Sequence, residues 1–213
     1  DGGSTEMANA RASTSVRRKQ IIDAARKLIM KYGSEHVTVK RIAEEIGTTE
    51  GAIYRHFKSK RDILSLLVEH IEENLIGDIQ KSRSSARSAL EILDMVMRSH
   101  VSSIERRKGV SFQVIAEIIS LGDKKLNAKI HGVLGRYTTG IRELLSQGVE
   151  AGEIRADVDL DAASVLFFGM IQGLVTLWAL EGFKPKLAQR YLPVWSIFRD
   201  AVAKPASPGP GLR

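Results

Sequence analysis

The sequence contains no cysteine, which excludes a disulfide framework, a thiolate nucleophile and a zinc–thiolate site. Its five histidines, at positions 36, 56, 70, 100 and 131, do not have the spacing of metal ligands, and we expect no metal site. A glycine-rich phosphate loop and a nucleophile elbow are also absent from the sequence. The chain therefore presents no catalytic constellation, and we expect neither an enzyme nor a cofactor.

Proline is scarce. The five prolines lie at positions 185, 193, 205, 208 and 210, so none interrupts a helix before Phe183. Strand-like alternation is lacking, whereas apolar residues recur at helical spacing. The sequence thus predicts an all-α protein, with a polar loop at 81–88 and flexible tails at 1–14 and 205–213, the first six residues being an appended segment. Helices are expected at about 15–31, 38–46, 49–57, 59–79, 89–104, 110–120, 123–150, 159–180 and 186–203.

A long apolar run occurs once, at Ala162–Leu180, where 19 residues carry no charge. This is nearly the length of a membrane span. Acidic residues flank the run, polar residues interrupt it, and no basic anchor follows it, so we expect a helix buried between its own domain and a partner subunit. With no secretory-type apolar segment at the N-terminus, we expect a cytoplasmic protein without membrane contact.

Positive charge is unevenly distributed. Residues 1–61 contain 13 lysines and arginines against 7 acidic residues, whereas the remainder contains 19 against 18. A localised basic excess is what a polyphosphate surface attracts. Charge alone leaves open the alternative of a solvated basic face.

The basic part of the chain contains an abrupt corner, "TVKRIAEEIGTTEGAIYRHFKSKRDIL" (Thr38–Leu64). Ala43 is small enough for a second helix to approach, Gly47 permits the bend, and Ile53 returns an apolar anchor to the contact. Ile42 and Ile46 supply further buried groups. This spacing predicts a helix-turn-helix whose second helix enters the major groove of DNA.

The face left exposed by this packing supplies the candidate DNA contacts. The N-terminal turn of the second helix reaches base edges, while hydroxyl, imidazole and cationic groups grip phosphates. Phe57 is interpreted as core. The candidates for base edges are Thr49, Glu50, Gly51 and Ala52, and those for phosphates are Thr38, Arg41, Tyr54, His56 and Lys60.

The residues "VTVKRIAEEIGTTEGAIYRHFKSKRDIL", preceded by "RRKQIIDAARKLIMKYG", resemble the signature of the tetracycline-repressor (TetR) family of bacterial transcription regulators. The resemblance covers roughly Arg17 to Leu67. It implies a three-helix DNA-binding domain at 15–61, a helical ligand-binding and dimerisation domain at 62–204, and a homodimer on a palindromic operator. It also places Arg55 at the DNA-reading face. Glu50 stands where similar proteins commonly carry a basic or neutral polar residue, and we interpret it as a selectivity residue that accepts from a cytosine amino group.

The C-terminal part offers two further candidate sites. The charge-free helix and the last helix are expected to form a four-helix dimer interface, in which glycines allow close approach. The predicted interface residues are Phe167, Gly169, Met170, Gly173, Leu177, Tyr191, Trp195 and Phe198. The resemblance also implies a pocket for a small-molecule effector, possibly hydrophobic, although plain core is the simpler interpretation of each candidate residue. The pocket candidates are Met97, His100, Phe112, Ile115, Tyr137 and Trp178.

Together these features predict a regulator, most simply a repressor, that binds its operator as a homodimer and is released by the effector. Two alternatives stay open. The chain could be an architectural protein that binds DNA without strong sequence preference and without ligand gating. It could also be a binding module for a protein partner only. Preference for one duplex distinguishes the regulator from the architectural protein, and failure to bind any duplex would favour the protein-binding module.

Overall fold

The computed structural model describes residues 2–84, 88–184 and 186–205, with side chains described from Ser15 onward. Within these ranges the regular structure is helical, apart from one isolated antiparallel bridge between Ile154 and Ala203. The predicted all-α fold is confirmed. The helices are α1 (Gly2–Tyr32), α2 (Val39–Ile46), α3 (Glu50–Tyr54), α4 (Lys60–Arg83), α5 (Ala89–Arg106), α6 (Val110–Leu121), α7 (Lys124–Glu150), α8 (Leu160–Leu180) and α9 (Leu187–Val202), with a short 3₁₀ turn at Ser34–His36.

Two helices are longer than predicted. α1 begins at Gly2 rather than near Ser15, so residues 2–14 are helical and not a separate tail. This stretch contains no proline and includes good helix formers such as Met and Ala. α4 continues to Arg83, where Lys81 and Arg83 complement the carboxyl end of the helix. Residues 85–87 of the predicted loop and 206–213 of the predicted C-terminal tail lie outside the described residues.

The chain divides into two compact units. Unit 1 comprises residues 1–71 with 107–131, and unit 2 comprises residues 72–106 with 132–213. α4 and α7 therefore contribute residues to both units. This division differs from the expected one at 61/62 because α6 belongs to the same unit as the N-terminal helices. The predicted domain limits stay a prediction.

Unit 1 is built on an apolar stripe of α1. Ile21, Ala25 and Leu28 are buried at helical spacing, as the sequence indicates. They share a core with the N-terminal part of α4, in which Ile63 and Leu67 are buried. The core of unit 1 thus holds the short helices α2 and α3 in place.

Unit 2 has an aromatic core contributed by α8 and α9. The rings of Phe167 and Phe198 meet edge-on with centroids 5.6 Å apart, and Trp195 lies 5.9 Å from Phe198. All three side chains are buried. Edge-to-face aromatic pairs of this kind contribute about 1 kcal/mol beyond the area that they bury.

Candidate nucleic-acid interface

The corner between α2 and α3 has the geometry of a helix-turn-helix. Gly47 adopts the left-handed conformation, with φ 72° and ψ 42°. Its N–H donates to the Glu44 carbonyl (3.2 Å), and the N–H of Thr48 donates to the Ala43 carbonyl (2.9 Å). These two bonds form a Schellman motif, which ends α2 and turns the chain sharply. A continuous helix through this segment is therefore excluded.

The buried side of the corner follows the predicted spacing. Ala43 and Ile53 are 2% and 0% exposed, and Ile42 is fully buried beside them. Ile46, which was expected to be buried, is half-buried. Because Ala43 is small, α3 can approach α2 at this point.

Side-chain caps set where both short helices begin. Thr38 Oγ1 accepts from Arg41 N and caps α2, and Thr49 Oγ1 accepts from Ala52 N and caps α3, each at 3.2 Å. α3 ends at Tyr54, three residues before the expected end at Phe57. Phe57 is only 7% exposed, in agreement with its interpretation as core.

The predicted DNA contacts all lie on the surface of unit 1. Seven of them are exposed: Thr38, Thr49, Glu50, Gly51, Tyr54, Arg55 and His56. The other three, Arg41, Ala52 and Lys60, are half-buried. The structure thus brings these side chains to the corner and to the helix beginnings beside it, as a DNA interface requires, and their contacts with DNA stay predictions.

Tyr32, at the end of α1, was missed by sequence reasoning. Its ring lies 5.4 Å from the Arg41 guanidinium carbon and 4.9 Å from Lys31 Nζ. A hydrogen bond with Tyr32 raises the pKa of Lys31 above its ordinary value. The only signal in the sequence was an aromatic residue directly after a lysine. The ring positions Arg41 through a cation–π contact.

Lys60 does not stand free at the start of α4. Its Nζ lies 2.6 Å from Oε1 of Glu117 in α6, and the other carboxylate oxygen, Oε2, accepts from Ser34 Oγ at 3.2 Å. Glu117 was also missed by sequence reasoning. It lies 57 residues from Lys60, and no local pattern marks such a pair.

The N-terminal helices match a known family. Residues 21–67 match the family model described as "Bacterial regulatory proteins, tetR family", and residues 63–200 match that described as "YsiA-like protein, C-terminal region". The chain belongs to the TetR family. It is thus a DNA-binding transcription regulator with a helix-turn-helix and a C-terminal ligand-binding domain.

Relatives of this TetR-family regulator include the fatty acid metabolism regulator protein of Bacillus subtilis, which is 30% identical over 78% of this chain and 84% of that protein. Nucleoid occlusion factor SlmA of Vibrio atlanticus is 26% identical over 90% and 97%. Among solved structures, FadR from Bacillus subtilis in complex with stearoyl-CoA superimposes with a TM-score of 0.74 and 28% identity, covering 84% of this chain and 96% of that one. The first and third of these relatives are named as regulators.

The predicted effector-pocket residues of this TetR-family regulator are divided between the two units. Met97, His100, Tyr137 and Trp178 are buried in unit 2, whereas Phe112 and Ile115 are half-buried in unit 1. Two pockets formed by described residues, of about 440 Å³ and 20 Å³, are lined by none of the six. Whether these residues bind an effector stays a prediction.

Within unit 2 the structure brings His100 and Tyr137 together. Phe168, which sequence reasoning missed although it follows the predicted Phe167, lies with its ring centroid 6.2 Å from that of Tyr137. Burial raises the pKa of Tyr137 above its ordinary value, and the charge of Asp78 raises it further. Ser99 Oγ in turn donates to Asp78 Oδ1 at 2.8 Å. The core of unit 2 is therefore not purely apolar, because it contains the side chains of His100 and Tyr137.

The structure buries half of the predicted dimer-interface residues inside the protomer, and the interface itself stays a prediction. Phe167, Tyr191, Trp195 and Phe198 are at most 6% exposed inside the protomer, so their side chains belong to its own core. The other four, Gly169, Met170, Gly173 and Leu177, lie on the open side of α8, where Met170 is half-buried and the rest are exposed. Further exposed apolar residues that were not predicted are Val165, Leu166 and Leu180 in α8, and Leu192 and Ile197 in α9.

α8 is long and apolar enough to cross a membrane by length and composition. One such helix is weak evidence, because core helices of soluble proteins pass the same test. The side of α8 that carries Phe167 is packed in the aromatic core of unit 2. Across the residues for which the structure gives side chains, no group of three or more potential ligands could hold a metal ion.

Proposed function

We propose that this chain is a homodimeric repressor that binds a palindromic operator in the bacterial cytoplasm and is released from it by a small-molecule effector. One observation carries the DNA part of the proposal. The left-handed Gly47 turns α3 so that its apolar face is buried while its first turn faces solvent. A helix presented in this way can enter a major groove.

The surface residues divide by the chemistry of their contacts. Gly51 and Ala52 carry no bulky group, so α3 can lie close to base edges, where Thr49, Glu50 and Arg55 would form hydrogen bonds. The remaining side chains would bind phosphates and fix the position of the protein along the duplex. These are Thr38, Arg41, Tyr54, His56 and Lys60.

The exposed apolar face of α8 and α9 supports the homodimer. Leu177, Leu180 and Ile197 are 55%, 81% and 72% exposed, which is a large apolar area to leave in water. Apart from the nearby backbone of α8 itself, no heavy atom lies within 4 Å of a Cβ built on Gly169 or Gly173, so a partner helix could approach there closely. Two modules joined at this face would bind two half-sites at once and multiply their affinity.

For the effector we propose a long-chain acyl thioester of coenzyme A. The support comes from the relatives, since one is a fatty acid metabolism regulator and the FadR structure contains stearoyl-CoA. The apolar side chains buried in unit 2 are compatible with an acyl chain. An effector releases DNA only by binding the released conformation more tightly than the DNA-bound one.

The test has two stages. Duplexes bound by the full-length protein are selected from a random pool, and we expect a palindrome preferred over random duplex by about 10³-fold or more. Stearoyl-CoA is then titrated against that complex, with free coenzyme A and stearate as controls. We expect stearoyl-CoA alone to weaken DNA binding, and the DNA complex to bind stearoyl-CoA more weakly by the same factor. Operator affinity that stearoyl-CoA leaves unchanged would refute gating by this ligand.

An architectural DNA-binding protein without ligand gating is the second candidate. It is favoured by the similarity to nucleoid occlusion factor SlmA, which extends over 90% of this chain. Such a protein would bind with a steep dependence on salt and with little preference among duplexes. The selection distinguishes the two, because only a sequence-specific regulator enriches one palindrome.

A further inference from the structure

The proposed role of Lys60 as a phosphate contact conflicts with its observed ion pair to Glu117. A lysine that grips a phosphate must offer its ammonium group to solvent, yet the Lys60 side chain is 29% exposed and its Nζ lies 2.6 Å from Glu117 Oε1. The Glu117 side chain is only 16% exposed. Because this ion pair is partly shielded from water, it is stronger than a pair on the open surface.

Glu117 is also held from the other side. Its Oε2 accepts from Ser34 Oγ at 3.2 Å, and Ser34 is itself 7% exposed in the turn that precedes α2. The carboxylate therefore has a set position beside the start of α4. Glu117 lies within residues 63–200, which match the C-terminal family model, but it belongs to the compact unit that contains the helix-turn-helix.

We propose that Glu117 determines DNA affinity by competing with backbone phosphate for Lys60. This inference rests on the proposed function, in which Lys60 is a phosphate contact. While Lys60 is paired with Glu117 its charge is neutralised inside the protein, so binding DNA there must exchange a carboxylate for a phosphate. Removing the carboxylate charge makes Lys60 a full contributor to counterion release, at about 0.9 unit of salt slope for each phosphate neutralised.

The neighbouring ion pair at Arg61 shows why Glu117 is different. Arg61 Nη2 lies 3.0 Å from Asp123 Oδ2, but Asp123 Oδ1 also accepts from the N–H groups of Lys125 and Leu126. The N–H of Leu126 is the main cause that lowers the pKa of Asp123 below its ordinary value. Asp123 thus caps the start of α7. Glu117 instead contacts Lys60 in α4 and Ser34 in the 3₁₀ turn.

The central experiment compares wild type with Glu117→Gln, which keeps the size of the side chain and removes its charge. Affinity for the selected palindrome and for a random duplex is measured over a series of salt concentrations. We expect tighter binding to both duplexes and a salt slope steeper by about 0.9 unit. If Glu117 only braced the fold, Glu117→Gln would instead weaken binding or leave the slope unchanged, and either result overturns the proposal.

Two controls make the result specific to Lys60. Glu69→Gln makes the same change in net charge, but Glu69 pairs with Arg18 and Lys129, neither of which is a predicted phosphate contact. We expect its salt slope to stay that of wild type. In a Lys60→Gln background, Glu117→Gln should give no gain. A gain of equal size in that background, or in Glu69→Gln, means a general field effect and overturns the proposal.

A further variant separates competition from loss of structure. Ser34→Ala removes the second contact of Glu117 and leaves the Lys60 pair, so we expect lower thermal stability with an unchanged salt slope. A chain that binds no duplex in any form overturns the proposed function and this inference with it. Wild-type binding combined with identical salt slopes in wild type and Glu117→Gln overturns the inference alone.

Discussion

The imidazole of His100 meets the ring of Tyr137 edge-on, with centroids 5.6 Å apart and Nδ1 3.2 Å from the phenolic oxygen. His100 is 7% exposed and Tyr137 is fully buried. Desolvation by burial lowers the pKa of His100 from 6.5 to about 4. At neutral pH the folded protein therefore contains an uncharged histidine hydrogen-bonded to an uncharged tyrosine.

The first prediction concerns the pH dependence of stability. Between pH 6.5 and about 4 the unfolded chain binds a proton at His100 that the folded chain does not. Stability should therefore fall as the pH falls through this window, by up to about 3 kcal/mol. Urea unfolding at pH 7 and pH 4.5 measures the loss. His100→Asn, which cannot titrate there, should show a smaller loss, and an equal loss in both proteins would contradict the prediction.

The second prediction concerns the corner. Apart from Gly47 itself and its two chain neighbours, no heavy atom lies within 4 Å of a Cβ built on Gly47, so Gly47→Ala meets no steric obstacle and only the left-handed backbone is penalised. We expect a loss of about 1–2 kcal/mol in unfolding free energy and weaker operator binding. Gly77, inside α4, has the same open space but is helical, so Gly77→Ala should stabilise by about 0.5–1 kcal/mol. Equal effects at both glycines would refute this account.

The third prediction tests the proposed dimer surface. Gly173→Leu adds a side chain that the protomer can accommodate, because the position faces open space. We expect a folded protein with weaker self-association, measured by sedimentation over a range of concentrations. Gly135→Leu is the matched control, since Gly135 is an exposed glycine with equal space in α7. A Gly173→Leu protein with the wild-type association constant would place the interface elsewhere.

The fourth prediction separates core from interface on α9. Phe198 is 1% exposed and its neighbour Ile197 is 72% exposed. Phe198→Ala should destabilise the protomer by about 3–5 kcal/mol through lost burial and a cavity. Ile197→Ala should leave the unfolding of the dissociated protomer nearly unchanged and weaken association instead. The measurements are urea unfolding at low protein concentration and sedimentation. If Phe198→Ala mainly weakened association and Ile197→Ala mainly destabilised the protomer, Phe198 would belong to the dimer interface.

The fifth prediction concerns Glu50 in the first turn of α3. If its carboxylate accepts from a cytosine amino group, Glu50→Gln should change the preferred base at one position in each half-site, by about 1–3 kcal/mol of discrimination. Repeating the duplex selection with the variant measures this. A uniform gain in affinity for every duplex would mean that Glu50 only repels phosphate.

Local features of the chain were predicted well. The bounds of α2 follow from a threonine cap at Thr38 and a glycine stop at Gly47, and the structure confirms both. Helix caps and stops depend on hydrogen bonds between residues a few positions apart, so they can be predicted from a short stretch of sequence. Helices α5 to α9 also begin and end within about two residues of their expected positions; Asp159 caps the start of α8, and Gly122 follows the end of α6.

The orientation of α8 could not be predicted in the same way. This helix is apolar on all sides, so the spacing of its hydrophobic residues does not indicate which side faces the protomer. Phe167 and Gly169 were both assigned to the dimer interface, yet the structure buries the first and exposes the second. Only the packing of α8 against α9 decides between them.

The sequence by itself determined that this protein is helical, that it turns sharply at Gly47, and that it belongs among DNA-binding regulators, because each of these depends on contacts a few residues apart. Tertiary structure alone decided that Lys60 pairs with Glu117, that His100 lies against Tyr137, and which apolar side chains stay exposed. Those outcomes depend on the competition between distant segments for the same buried volume and the same charges, and no local pattern records that competition.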